Sequence, residues 1–225
     1  MPETNPQGAV LFDIDGTLVD SNYLHVIAWL RAFDDVGRVV DAARVHRDIG
    51  MGASQLLEDL LGDRAADLGD AARERHKVHY AELHPLLRRF ASARELVQAV
   101  SRRARVVMAT SASPEELHVL RGALDIDDVV HAFTSAQDVD AAKPEPDLVE
   151  VALERAGVPA QRAVFVGDTV WDVVAAGRAG VPCVGVLTGG IAQAELIGAG
   201  AVAVYDDVAS LLADLDRSPL ASVLG

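Results

Sequence analysis

The chain has 225 residues and a formal net charge of −14; 50% of its residues are hydrophobic but only 4% are aromatic. That length suits one large domain, or a domain with a smaller insert, around an aliphatic core. The acidity, with no basic cluster, argues against nucleic acid as a partner, and no apolar run is long enough to span a bilayer.

In chain order, residues 1–6 have neither the basic nor the apolar region of a secretion signal, so a cytoplasmic protein is expected. Ala9-Val10-Leu11-Phe12 is a continuous apolar run and reads as a buried parallel strand. It delivers Asp13-Ile14-Asp15-Gly16-Thr17-Leu18-Val19-Asp20-Ser21, two carboxylates one residue apart at a strand's C-terminal end. Alternation sends such a pair to opposite faces, so the chain must curl after Asp13 for both to meet one ligand, and Gly16 permits that. Asp20 and Ser21 read equally well as helix caps or as functional groups.

Residues 22–37 carry an apolar stripe at helical spacing, a short helix follows at 41–48, and Ile49-Gly50-Met51-Gly52-Ala53 is a loop. Helices are expected at 54–61 and 64–83. A helical block this long between strands exceeds an ordinary crossover. It is expected to be a small inserted unit, residues 21–87, on a body formed by 1–20 and 88–225.

Beyond Pro85 strands and helices alternate. Helix 92–102 precedes strand 105–109, which ends at Thr110-Ser111-Ala112-Ser113. Ser113 and Pro114 open the next helix as cap and first residue. A weak strand is expected at 129–133, then a polar loop to Lys143-Pro144-Glu145-Pro146, then helix 147–156. Strand 163–166 ends at Gly167-Asp168, helix 169–179 stops at Gly180, and strand 181–187 contains the single cysteine, Cys183, whose default reading is a buried structural thiol. A helix, a weak strand at 202–204 and a helix at 208–215 complete the chain. The alternation implies an α/β fold with a doubly wound parallel sheet, a Rossmann-like core.

The strand ends supply the chemistry. Asp13 and Asp15, then Thr110 and Ser111, then Asp168 fall along one edge of such a sheet, where ligands bind. Asp172, one helical turn beyond Asp168, can face the same place. Lys143 precedes the third strand and is one of only two lysines, with Lys77, in an arginine-rich chain. Converging carboxylates call for a hard divalent cation with oxygen ligands, typically Mg²⁺. An aspartate can attack phosphorus, a second carboxyl can move the proton, and a lysine can neutralise the transferring group. Taken singly, Thr110 and Ser113 read as helix-start residues, Lys143-Pro144 as a solvated turn, Gly167-Asp168 as a capped turn and His25 as a packed histidine. Their order along the chain, each at a strand end or adjoining loop, favours a shared site.

Four motifs resemble the haloacid dehalogenase superfamily, in its phosphoglycolate-phosphatase-like and β-phosphoglucomutase-like branch. They are the stretch at 13–21, Met108-Ala109-Thr110-Ser111, Lys143-Pro144-Glu145-Pro146-Asp147 and Val166-Gly167-Asp168-Thr169-Val170-Trp171-Asp172. The resemblance covers nearly the whole chain, including the position of an inserted helical cap domain. It implies that Asp13 is the nucleophile, Asp15 the general acid/base, and Lys143 the neutralising cation. It also implies that Thr110 and the backbone near Ser111 bind phosphate. Mg²⁺ would be held by Asp13, the Asp15 main-chain carbonyl and Asp168, with Asp172 in support.

A phosphatase acting on a small phosphorylated metabolite, as monomer or dimer, is the expected function. Asp15 argues against dehalogenation, whose enzymes lack this second aspartate. Phosphonate hydrolases of the superfamily use a cap lysine, but Lys77 falls late on a polar helix, away from the glycine loop. Phosphomutases carry a histidine where His25 stands, and an arginine in the cap loop that the stretch 50–54 lacks; sugar phosphomutase is the alternative. Asp20, Ser21, His25, Arg47, Met51 and Gln55 are the candidates for the substrate-facing surface. A receiver-like phospho-acceptor module would have neither the helical insertion nor the Asp-x-Asp spacing, and the intact acidic set argues against a catalytically silent binding protein.

Overall fold

A computed structural model describes residues 8–138 and 142–225. Residues 1–7, and 139–141 of the expected polar loop, lie outside the described residues. The chain runs β1 (Ala9–Phe12), β2 (Val19–Asp20), α1 (Asn22–Asp35), α2 (Ala42–Asp48), α3 (Ala53–Leu61), α4 (Ala65–Leu83), β3 (Arg88–Arg89), α5 (Ala93–Ser101), β4 (Arg105–Ala109), α6 (Pro114–Leu124), β5 (Ala132–Thr134), α7 (Asp147–Ala156), β6 (Ala163–Gly167), α8 (Val170–Arg178), β7 (Cys183–Val186), α9 (Gln193–Ala199), β8 (Ala203–Tyr205) and α10 (Val208–Ala213).

Six strands form one parallel sheet in the order β5-β4-β1-β6-β7-β8. The α/β Rossmann-like fold expected from the alternation is therefore present. The chain builds outward from β1 on one side through β4 and β5, then crosses to build β6, β7 and β8 on the other. The reversal falls at β1, where an open parallel sheet leaves a crevice at its carboxyl edge. Strand alternation divides the core: Val10 and Phe12 pack with α5, α6 and α10, whereas Ala9 and Leu11 pack with α7, α8 and α9. Burial on both faces explains why β1 and β6 read as unbroken apolar runs.

The helices α1–α4 hold a third apolar cluster of their own, in which Val26, Trp29, Phe33, Val45, Leu57, Leu60 and Ala72 meet. At its root lies a two-stranded antiparallel ribbon that the sequence pattern did not suggest, pairing Val19 with Arg89 and Asp20 with Arg88. The strand expected at 129–133 is displaced to Ala132–Thr134, because the amides of Val129 and Val130 turn back to the Ile126 carbonyl. A β-branched pair inside a turn mimics a strand in sequence. None of the described helices is long and apolar enough to cross a membrane.

One charge in the helical unit opposes folding. Asp48 is buried at the end of α2; burial first, then the charge of Asp59, push its carboxyl up to about 7. A carboxyl whose pKa is raised on folding stabilises the protein below the unfolded value and withdraws that stability as pH rises through the folded value. Asp48→Asn is therefore expected to stabilise the protein at pH 8 by on the order of 1–2 kcal/mol, seen as a higher thermal midpoint, and to have little effect at pH 4. Thermal unfolding of both proteins at the two pH values checks this; equal midpoint differences would refute it.

Candidate active site

The carboxyl ends of β1, β4 and β6 converge on one cavity of about 450 Å³. The curl after Asp13 is a tight turn in which the amides of Thr17, Leu18 and Val19 all donate to the Ile14 carbonyl, and Gly16 takes a φ of 71°. A side chain at Gly16 would strike Asn22 and Asp168. The turn brings Asp13 and Asp15 to the same cavity.

Asp13, Asp168 and Asp172 are buried, with one carboxylate oxygen from each within 4.8 Å of the others. Lys143 stands among them, its Nζ 2.6 Å from Asp13 Oδ1 and 2.6 Å from Asp172 Oδ1. Each acidic partner is held from behind. Asp168 accepts from Thr17 Oγ1 and Asn22 Nδ2, both at 2.8 Å. Asp172 accepts from the Thr169 amide at 3.0 Å and the Thr169 hydroxyl at 2.7 Å, in the capping box that starts α8. One cation does not balance three carboxylates. Burial, only partly opposed by Lys143 and reinforced by the charges of Asp172 and Asp15, pushes Asp13 up to about 8. Burial and the neighbouring Asp172 and Asp13 also push Asp168 well up. A hard divalent cation with oxygen ligands fits this donor set and would relieve the repulsion.

Asp15 stands apart from the cluster. Its Oδ1 accepts from Ser21 Oγ at 2.6 Å and lies 3.4 Å from His25 Nε2. Burial disfavours its charge, but hydrogen bonds from His25 and Ser21 and the His25 charge outweigh burial and hold the carboxyl below its ordinary value. The same contact raises His25 despite its own burial. Of the four residues expected around a metal, Asp13, Asp168 and Asp172 meet through their carboxylates, whereas Asp15, expected to offer its main-chain carbonyl, turns its side chain to Ser21 and His25. The other ring nitrogen of His25 lies 3.2 Å from His76, and the His25 ring stacks on Tyr80.

Thr110 and Ser111 line the cavity at the end of β4. Thr110 Oγ1 accepts from the Ala112 amide at 3.1 Å. Ser111 Oγ is buried with no hydrogen-bond partner among the described residues. The capping box of Ser113 and Glu116 then starts α6.

The helical unit forms the opposite wall through Ile49–Leu56, Arg73, His76 and Lys77. His25, Met51 and Gln55 line the cavity, but Arg47 does not; its side chain is largely exposed and pairs with Glu195 at 3.5 Å. It lies at the end of α2, where its carbonyl accepts from Trp171 Nε1 at 2.9 Å. Asp20 is exposed, and Ser21 is buried against Asp15. Lys77, expected away from the glycine loop, lines the same cavity because α4 packs against α1 and α3. Its ammonium pairs with Glu74 at 2.7 Å, and that hydrogen bond raises its pKa, which opposes the neutral amine that a Schiff base requires. Further contacts fasten the unit to the sheet. His46 Nε2 hydrogen-bonds the Gly189 carbonyl at 2.9 Å, and a side chain at Gly52 would strike Ala142 beside Lys143.

Residues 8–180 match the model of the haloacid dehalogenase-like hydrolase family. The chain belongs to that family. It is an enzyme, a phosphatase-type hydrolase of phosphoric monoesters. A phosphoglycolate phosphatase of Rhodospirillum rubrum is 33% identical over 90% of this chain and 88% of its own. Another, of Pseudomonas putida, is 33% identical over 94% and 80% respectively. A hydrolase structure from Pseudomonas syringae superposes with a TM-score of 0.89 at 32% identity, covering 94% of this chain and 99% of that one.

Thr17, Asn22, Thr169 and the cavity-facing Arg73 and His76 escaped the sequence reading. Thr17 and Thr169 lie inside the quoted motifs, and their hydroxyl next to a needed carboxylate was the available signal. Nothing in the local pattern marks Arg73 or His76.

Lys143→Met is expected to leave two buried carboxylates without their cation and to cost about 3–5 kcal/mol of stability at pH 8. The raised carboxyls take up protons as pH falls, so the loss should shrink at pH 5. Denaturant titration at both pH values checks this; an equal loss at both would refute it.

Proposed function

We propose that the enzyme is a Mg²⁺-dependent phosphatase that hydrolyses a small phosphate monoester through a phosphorylated Asp13. The observation that carries this reading is the meeting of Asp13, Asp168 and Asp172 around Lys143 on one wall of the cavity. Residues 21–87 act as a cap over the body formed by 1–20 and 88–225. Phosphoglycolate, named for the relatives from Rhodospirillum rubrum and Pseudomonas putida, is the first ester to test.

Asp13, Asp168 and Asp172 would hold the metal ion. Bound Mg²⁺ supplies positive charge that favours the ionised carboxylates and polarises the phosphoryl oxygens. Lys143 keeps the Asp13 oxygen in place and neutralises the approaching phosphate. Thr110, Ser111 Oγ and nearby amides hold the non-reacting oxygens. The Asp13 carboxylate attacks phosphorus and forms the acyl-phosphate bond as the bond to the ester oxygen breaks. The leaving oxygen takes a proton from the Asp15–His25 pair, which sits on the cavity wall. The carboxylate of Asp15 then takes a proton from water as water attacks the phosphoryl group, releasing phosphate and restoring Asp13. The cap excludes bulk water during these steps.

A phosphomutase reading remains as the second hypothesis, favoured by the contact of His25 with Asp15. It predicts an isomerised sugar phosphate without net phosphate release, visible by phosphorus NMR. The phosphatase reading predicts catalytic phosphate release from small esters that EDTA abolishes and excess Mg²⁺ restores. Asp13→Asn should lower that rate by at least about 10³-fold. Colorimetric phosphate assay of an ester panel checks both, and release unaltered in the variant would overturn the proposal.

A further inference from the structure

The cap wall carries a cation that the reaction above does not use. Arg73 and Lys77 stand four residues apart on α4, so they share a helix face, and both line the cavity with Asp13 and Lys143. One terminal nitrogen of Arg73 donates to Ser54 Oγ at 3.1 Å. Its Nε is buried with no hydrogen-bond partner among the described residues.

The surroundings make this unusual. The chain has 34 acidic and 20 basic side chains, and the lysines lining the cavity, Lys77 and Lys143, are paired with carboxylates. Arg64 meets Asp67, Arg75 meets Asp35 and Lys77 meets Glu74. Arg73 has no such ion pair among the described residues. Glu116, on the facing wall, accepts from the Ser113 amide at 2.9 Å as part of a helix cap. A buried guanidinium donor without an acceptor costs free energy unless a ligand supplies one. The planar fork suits the paired oxygens of a carboxylate or phosphate. A cavity of about 450 Å³ admits a small molecule touching both walls.

We propose that Arg73 is the specificity-determining residue of this enzyme. It grips a second anionic group on the substrate, so the preferred esters carry a carboxylate or a second phosphate at the end away from the reacting phosphoryl group. Lys77 adds charge beside it, and Ser54 orients the guanidinium. This assignment rests on the reading that the reacting phosphoryl group sits at Asp13. It gives the cap a binding role that the glycine loop at 50–54, with no arginine, does not fill.

The test compares phosphoglycolate, ethanediol bisphosphate and ethyl phosphate as substrates for the wild type, Arg73→Ala and Arg73→Lys. The wild type should favour one of the two doubly anionic esters over ethyl phosphate, and which one tells carboxylate from phosphate. In Arg73→Ala the ratio of kcat/KM between that ester and ethyl phosphate should fall at least tenfold, mainly through KM, with Arg73→Lys in between. An unchanged ratio alongside sound hydrolysis overturns the Arg73 assignment alone. Calorimetric binding of phosphonoacetate, ethanediphosphonate and ethylphosphonate, with Mg²⁺ present, tests it without turnover. If no ester is hydrolysed but Arg73→Ala still loses tenfold in discrimination between these phosphonates, the hydrolytic reading fails and the Arg73 assignment stands. No Arg73-dependent discrimination in either measurement overturns it.

Discussion

Three buried carboxylates cannot share one point without positive charge, and the rest of the structure is arranged around that constraint. Lys143 supplies part of the charge from a loop, at 2.6 Å from both Asp13 and Asp172. The remaining excess shows in the upward displacement of Asp13 and Asp168. A fold can hold such repulsion only if each carboxylate is fixed from behind. Thr17 and Asn22 fix Asp168, and the capping box of α8 fixes Asp172. The same hydrogen bonds that start a helix or close a turn thus hold groups that would otherwise move apart.

The parallel sheet places these groups with little freedom. β1, flanked by β4 and β6, is buried on both faces, and its end opens onto the crevice where strand order reverses. Rigid apolar strands carry polar residues only past their last buried position. Asp15 is placed differently. Asp15 leaves the sheet axis at Gly16 and meets Ser21 and His25, which belong to the start of the helical unit. Asp13 and Asp15 therefore lie two positions apart in sequence but answer to different parts of the fold.

The helical unit has its own apolar cluster; Ala28, Tyr80 and Leu83 also join the apolar cluster of the sheet, and His46 with Gly189 and Trp171 with Arg47 add polar contacts. The ribbon of β2 and β3 joins the two at one root. Arg73 fits this division: the sheet provides the chemistry common to the family, and the helical unit provides a charge placed for one kind of substrate.

Much of the sheet and its acidic edge was legible in sequence, because burial on both faces forces continuous apolar runs and the groups at their ends stand in plain order. Asp13, Asp15, Thr110, Lys143, Asp168 and Asp172 could be marked for that reason. The strand at Ala132–Thr134 begins three residues later and ends one residue later than its sequence pattern suggests, since Val129 and Val130 have strand-like side chains but turn-like hydrogen bonds. Side-chain direction on helices was not legible. Arg47 and Gln55 looked alike as candidates, and only packing sent the first to Glu195 and the second into the cavity. Lys77 and Arg73 reach the cavity because α4 lies against α1 and α3, a relation with no local signature. The sequence by itself determined which residues end buried strands, because apolar periodicity is local. Only the tertiary structure decided which helix faces look inward, because that depends on where distant helices pack.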